Sequence, residues 1–186
     1  AMTAYLQARL GLDEHAAGRL RRHYWQRYGA TLTGLMRHHA TDPQHFLRAT
    51  HDIQKIRNMV VREPGLRATL VRLPGRKIVF SNSPVDYAQT VLGMLGITDL
   101  FDDVFSIEHG DYRPKPDAHG FLKLLRRNRV RAPTCIMVED TLANLRTAKR
   151  LGMSTIWMAR TPRVPGYVDF SVRSLLQLPR LAWRLN

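Results

Sequence analysis

A single cysteine, Cys135, occurs in the 186 residues. That excludes an intramolecular disulfide and a zinc site built from cysteines. Acidic residues are also scarce: 15 Asp plus Glu stand against 29 Lys plus Arg, a formal charge of +14 at pH 7. No run of about eighteen apolar residues is present, which excludes an apolar membrane-spanning helix. No secretory pattern opens the chain, and a cytoplasmic protein is the expectation. Internal repeats and low-complexity segments are missing. So are Gly-x-Gly-x-x-Gly, a P-loop, His-Glu-x-x-His and Gly-x-Ser-x-Gly, which removes the dinucleotide, P-loop, zincin and serine-hydrolase readings.

What is present is apolar enough to fold. At 44% hydrophobic residues the chain is no disordered segment, and its length suits one core domain carrying a small insert. The basic excess attracts phosphates, nucleic acids or acidic surfaces. Its densest cluster, Arg126–Arg131, falls at the end of an expected helix, where cations favour the dipole and face solvent. Charge alone therefore keeps a nucleic-acid-binding module only as an alternative.

The first sixty residues carry helix signals and no strand. Thr3–Leu10 is amphipathic and stops at Gly11. Asp13 caps a helix to Tyr28, closed by Gly29. Thr31–His39 is a third helix, and Asp42-Pro43 opens a fourth to Thr50. Tyr24, Trp25 and Tyr28 read as core of this block, and His38-His39 as a solvated pair at a helix end.

From Pro64 onward strands alternate with helices. Helices are expected at 64–73, 84–95, 117–128 and 141–151, and strands at 77–80, 104–107, 134–138 and 154–158, with Cys135 as a small core residue. Ser174 caps a final helix broken near Pro179. This order implies a parallel sheet with helices on both faces, a Rossmann-like α/β fold. The expected division is a helical unit over 1–60 and the α/β core over 61–186. In such sheets chemistry sits past the carboxyl ends of the strands.

Three polar clusters stand at those ends. Ser81-Asn82 follows the first strand and precedes a helix; it reads as an anion cradle or as a simple cap. Lys115 lies between Pro114 and Pro116, which give a loop lysine a defined direction; its bland reading is solvated surface. Glu139-Asp140 ends a third strand, with Asn144 one helical turn on. Two adjacent carboxylates there suit Mg²⁺, or else Asp140 merely caps the next helix.

Taken together, Phe80-Ser81-Asn82, Lys115-Pro116-Asp117 and Val138-Glu139-Asp140-Thr141-Leu142-Ala143-Asn144-Leu145 resemble the haloacid-dehalogenase-like hydrolase superfamily. The layout is most similar to its pyrimidine 5′-nucleotidase branch, from the cap length, the His51-Asp52-Ile53 return from the cap and the acidic pair. The resemblance covers nearly the whole chain and implies Mg²⁺-dependent hydrolysis of a phosphate monoester, a nucleoside 5′-monophosphate being the favoured substrate. Dehalogenases and phosphonatases belong to the same superfamily. By that resemblance Ser81 bonds a phosphoryl oxygen with the Asn82 backbone nearby, and Lys115 neutralises shared negative charge. Asp140 binds the metal directly, Glu139 through water, and Asn144 positions its neighbours.

The superfamily's first motif, Asp-x-Asp-x-Thr or Val, occurs nowhere in these residues. The resemblance places it upstream of Met2, on a central strand between those at 77–80 and 134–138, and its first Asp is the nucleophile. A start assigned too late is the expected reason, Ala1 being a tag remnant, with a truncated gene or a fragment as the alternative. As given, the chain is expected to be inactive. Its two flanking strands are expected to close up, or to take a segment from this or another copy of the chain, favouring a dimer or aggregate. A non-catalytic phosphate-binding or interaction protein is the alternative.

Overall fold

Aspartates start four of the helices in this computed structural model, which describes residues 1–161 and 163–181. The last residues of the expected core, 182–186, lie outside these. The first part holds α1 (Met2–Leu10), α2 (Glu14–Tyr28), α3 (Thr31–His39), α4 (Pro43–Thr50) and a short α5 (Ile53–Ile56). Asp13, Asp42 and Asp52 cap α2, α4 and α5 by accepting from amides two or three residues ahead. The sequence reading took Asp52 as part of the return from the block; its cap makes α5 there. Leu6, Ala17, Leu35 and Phe46 form the interior of these helices, and Ile107 from the later part joins them.

The second part runs α6 (Leu66–Arg72), β1 (Ile78–Phe80), α7 (Val85–Leu95), β2 (Asp103–Phe105), α8 (Ala118–Asn128), β3 (Ile136–Glu139), α9 (Leu142–Arg150), β4 (Ser154–Met158) and β5 (Phe170–Val172). Asp117 caps α8. All strand pairs are parallel, and the fold is Rossmann-like α/β. β5 has no counterpart in the sequence reading: three residues with one exposed serine give no usable alternation. Leu175–Arg180 is a 3₁₀ helix, not an α-helix, because Pro179 inside it withholds an amide; Ser174 caps it as expected. Among the described residues no helix is long and apolar enough to cross a membrane.

The strands make two sheets, β1-β2 and β3-β4-β5. Both face the same two layers. Phe80 of β1 and Met137 of β3 pack on the Phe121 cluster of α8, while Leu73 and Leu175 pack with Val79 of β1 and also with Val138 of β3. Yet β1 and β3 are not hydrogen-bonded to each other, so the expected closing-up of the flanking strands does not occur. The Ser81 amide donates to Phe105 and the Ser154 amide donates to Cys135. Because strand groups alternate in direction, the backbones of Ile78 and Phe80 face away from β2, and those of Ile136 and Val138 face away from β4. Ile136, expected inside, is 46% exposed.

Three further readings change. Cys135 lies one residue before β3, half-buried, its thiol donating to the Arg131 carbonyl, and burial raises its pKa. His38 and His39 are not merely solvated: their Nε2 atoms meet the Tyr28 and Tyr24 hydroxyls, each at 2.7 Å. Tyr24 is core, but Trp25 is 60% exposed. Next to Tyr24 in sequence, it lies about 100° around α2 from that buried ring, off the face that Ala17 and Tyr24 bury.

Candidate phosphate site

Lys115 is fixed at both ends. Its backbone amide donates to Asn82 Oδ1 at 2.8 Å, and its carbonyl accepts from Asn82 Nδ2 at 3.1 Å. Its ammonium donates to the Phe80 carbonyl at 2.7 Å and to Glu139 Oε2 at 2.8 Å. The Phe80 carbonyl is one of the groups facing away from β2, so the ammonium spans the carboxyl ends of the two unpaired strands. It also lies 4.8 Å from the centre of the Phe80 ring. The Lys115–Pro116 peptide is cis. Thr147 of α9 donates its hydroxyl to the Pro116 carbonyl, tying this loop to the second sheet's helix.

The Lys115–Glu139 pair is buried, at 9% and 10% side-chain exposure. Burial pushes the Glu139 carboxyl up. A hydrogen bond shared with Asp140, the Lys115 ammonium and the Asn144 side chain outweigh that and hold it down at about 2. Asp140 moves the other way: its hydrogen bond to Glu139, partial burial and the Glu139 charge raise its pKa. The other Glu139 oxygen accepts from the amides of Asp140 and Thr141 at 3.1 Å. Asp140 takes the Thr141 hydroxyl at 3.0 Å and is otherwise exposed, and its carbonyl accepts from the Trp157 indole at 2.9 Å. Asn144 is 6% exposed. Ser81 Oγ lies 2.6 Å from Ser83 Oγ and accepts from the Ser83 amide at 3.0 Å, a tight turn ahead of α7.

Asn82, Lys115, Glu139 and Asp140 are thus one connected network, with buried Asn144 and, at the end of β1, Ser81 beside it. Two details add to the expectation. The Asn82 side chain clamps the Lys115 peptide. Glu139 is engaged with Lys115, leaving Asp140 as the open carboxylate. No sequence signal tied Asn82 to a residue 33 positions away.

Oxygen donors of this type suit a hard cation. Among the described residues no group of three or more His, Cys, Asp or Glu side chains is set to hold a metal. Mg²⁺ needs only one or two protein carboxylates when waters and a substrate phosphate complete its octahedron, and the exposed Asp140 carboxylate fits that partial role.

A cleft of about 1090 Å³ opens beside the network. Asn82, Lys115, Asp117, Thr141 and Asn144 line one side of it, and Trp25, Arg27, Tyr28 and Arg37 the other. Ser81, Glu139 and Asp140 are not on its wall. The two sides meet at Gly29, whose φ of +78° closes α2; a Cβ there would lie 3.0 Å from Pro116 Cδ. Only glycine satisfies both the left-handed turn and that approach.

The fold has counterparts. Phosphate metabolism protein 8 of Saccharomyces cerevisiae is 24% identical over 169 residues, covering 83% of this chain and 53% of the yeast protein. The chain therefore spans about half the length of that curated relative. A HAD phosphatase from Thermococcus onnurineus superposes with a TM-score of 0.67 at 21% identity, covering 97% of this chain and 86% of that one. The HAD-hydrolase YfnB from Bacillus subtilis, a structure bound to magnesium, gives 0.60 at 16% identity over 88% and 82%. These two likenesses show the shared fold. A family model described as haloacid dehalogenase-like hydrolase matches residues 3–152, and the chain belongs to that family.

Proposed function

We propose that this chain is the phosphate-recognising part of a phosphomonoesterase acting on a nucleoside 5′-monophosphate, as in the pyrimidine 5′-nucleotidase branch. The observation that carries this reading is the Lys115 ammonium, held between the Phe80 carbonyl and Glu139 at the carboxyl ends of β1 and β3. A cation fixed there, beside a cleft, meets the charge of a phosphoryl group without reorganisation. In this reading residues 1–60 act as the cap and residues 61–186 as the core. Ser81 donates its hydroxyl to a phosphoryl oxygen, Asn82 keeps Lys115 aimed, and Asn144 steadies Glu139. When bound, Mg²⁺ would neutralise the phosphoryl oxygens; Asp140 would hold it directly and Glu139 through water.

The chain supplies no Asp-x-Asp, so no carboxylate among its 186 residues takes the nucleophile's part. In this reading a further strand bearing that carboxylate fills the interval between β1 and β3. The chain by itself binds phosphate and does not turn over. The missing motif also favours a second reading, a non-catalytic phosphate-binding protein.

Titrating inorganic phosphate with and without Mg²⁺ into this chain, and into its Lys115→Ala and Asp140→Asn variants, tests the site. Saturable binding that Lys115→Ala abolishes, and whose Mg²⁺ dependence Asp140→Asn removes, is the expected result. Absence of phosphate binding overturns both readings. Adding a strand peptide that contains Asp-x-Asp-x-Thr separates them: phosphate release from cytidine 5′-monophosphate supports the hydrolase, and binding without release supports the second.

A further inference from the structure

The cleft wall opposite Lys115 carries charge that the protein leaves unanswered. Four cationic side chains line the cleft: Arg27, Arg37, Arg113 and Lys115. Lys115 is neutralised by Glu139, and Arg113 by Asp117 at 2.9 Å. Arg27 and Arg37 have no carboxylate within salt-bridge distance among the described residues. Both approach the same aromatic ring. The Arg37 guanidinium lies 5.1 Å from the centre of the Tyr28 ring and the Arg27 guanidinium 5.9 Å from the same centre. The Tyr28 hydroxyl is pinned by His38 Nε2 at 2.7 Å, which fixes the ring that both guanidiniums share.

The ring face attracts each guanidinium, and an anion bound to both would add charge pairing that the protein itself does not supply. Each arginine does stand in the last turn of its helix, α2 or α3, where the dipole favours a cation. That accounts for each residue singly, but not for two helix ends converging on one ring at a cleft wall. Arg27 is two residues before Gly29, and Gly29 abuts the Lys115-Pro116 segment. A guanidinium pair presents paired N–H donors matched to phosphate or carboxylate oxygens.

We infer that Arg27 and Arg37, organised around Tyr28, form a second anion site, and that the cleft selects phosphate monoesters whose leaving group carries an anionic group of its own. This deepens the proposed function and rests on it: one phosphate meets Lys115, and the second anion meets the arginine pair across the cleft. The exposed Trp25 ring on the same wall offers an apolar face to the part of the ligand between them.

The test compares three probes on the full chain by calorimetry at fixed ionic strength: inorganic phosphate, cytidine 5′-monophosphate and cytidine 3′,5′-bisphosphate. The bisphosphate is expected to bind about tenfold or more tightly than the monophosphate, as one additional charge-assisted interaction implies. In the Arg27→Gln/Arg37→Gln variant that advantage is expected to vanish while the Mg²⁺-dependent part of inorganic phosphate binding, which belongs to the Lys115 end, stays as before. An Arg126→Gln/Arg131→Gln variant removes the same charge elsewhere and is expected to keep the advantage. Equal affinity for the mono- and bisphosphate overturns the inference, as does loss of the advantage in the Arg126/Arg131 variant, which would make it a general charge effect. Failure of all three probes to bind instead overturns the phosphate-site reading beneath it.

Discussion

Lys115 Nζ and Glu139 Oε2 lie 2.8 Å apart, both side chains buried, at the ends of two strands that do not pair with each other. Removing the lysine leaves a buried carboxylate with its main counter-charge gone. Lys115→Ala is expected to lower stability by about 3–5 kcal/mol, the range for one-sided disruption of a buried pair. Combining it as Lys115→Met with Glu139→Gln is expected to recover part of that loss, since no charge remains to be solvated, while phosphate binding stays lost. Urea unfolding of the single and double variants checks the first part, and phosphate titration the second. Equal destabilisation in both would mean that packing, not charge, dominates the pair.

Asn82 tests whether the lysine must be aimed as well as present. Its side chain closes two hydrogen bonds on the Lys115 peptide. Asn82→Ala is expected to cost about 1–3 kcal/mol by leaving those backbone groups unpaired. It is also expected to weaken phosphate binding with the Lys115 charge intact. Asn82→Asp keeps the acceptor and loses the donor, so it should fall between. Binding unchanged in Asn82→Ala would remove the residue from the positioning role.

Within the helical block, α2 and α3 pack through one small residue. A Cβ on Gly34 would collide with the Tyr24 ring. Tyr24 is 6% exposed and has no open space to retreat into. Gly34→Ala is expected to destabilise by about 1–3 kcal/mol despite the better helix propensity of alanine, because overpacking wins over a gain of about 1 kcal/mol. Thermal unfolding measures the sign directly.

Residue patterns went furthest where local chemistry decides. Asp13, Asp42-Pro43 and Gly29 set helix ends to within a residue, since caps act over one turn. Ser81, Glu139 and Asp140 stand out because they close apolar strands, and Lys115 because prolines flank it. What stayed hidden depends on distant partners. Asn82 finds Lys115 only when β1 and the loop before α8 meet. Trp25 looked like core by type, yet only the packing of α2 shows which of its sides is open. β5 is held by neighbours: Asp169, just before it, accepts from the Thr155 amide at 2.8 Å, a contact no local pattern announces.

That aspartate gives an acid-dependent expectation. Burial raises the Asp169 pKa, but Lys149 at 2.6 Å and the Thr155 amide and hydroxyl outweigh it, leaving it below the ordinary value. A carboxyl depressed by folding stabilises above its unfolded pKa of about 4, and the contribution is lost as pH falls through the folded value. Asp169→Ala is therefore expected to cost about 1–3 kcal/mol at neutral pH. The gap to the unmodified chain should narrow on acidification towards pH 3. Urea midpoints across that range check it; a gap independent of pH would assign the effect to lost packing.

The interval between β1 and β3 makes the most direct expectation about association. Backbone groups of Ile78, Phe80, Ile136 and Val138 face it, and among the described residues only the Phe80 carbonyl of these has a side-chain donor, Lys115. Such edges template pairing with another chain, and we propose that copies of this chain exchange a segment there. Ile136 is the first residue of β3 and its amide faces away from β4, so proline there removes a donor from the interval while sparing the β3-β4 ladder. Ile136→Pro is expected to shift the chain from dimer towards monomer in sedimentation velocity, with a small loss of stability. Met137→Pro, whose amide belongs to the β4 side, is expected instead to damage the sheet itself. A chain that is monomeric at every concentration before any substitution would show that the edges recruit no second copy.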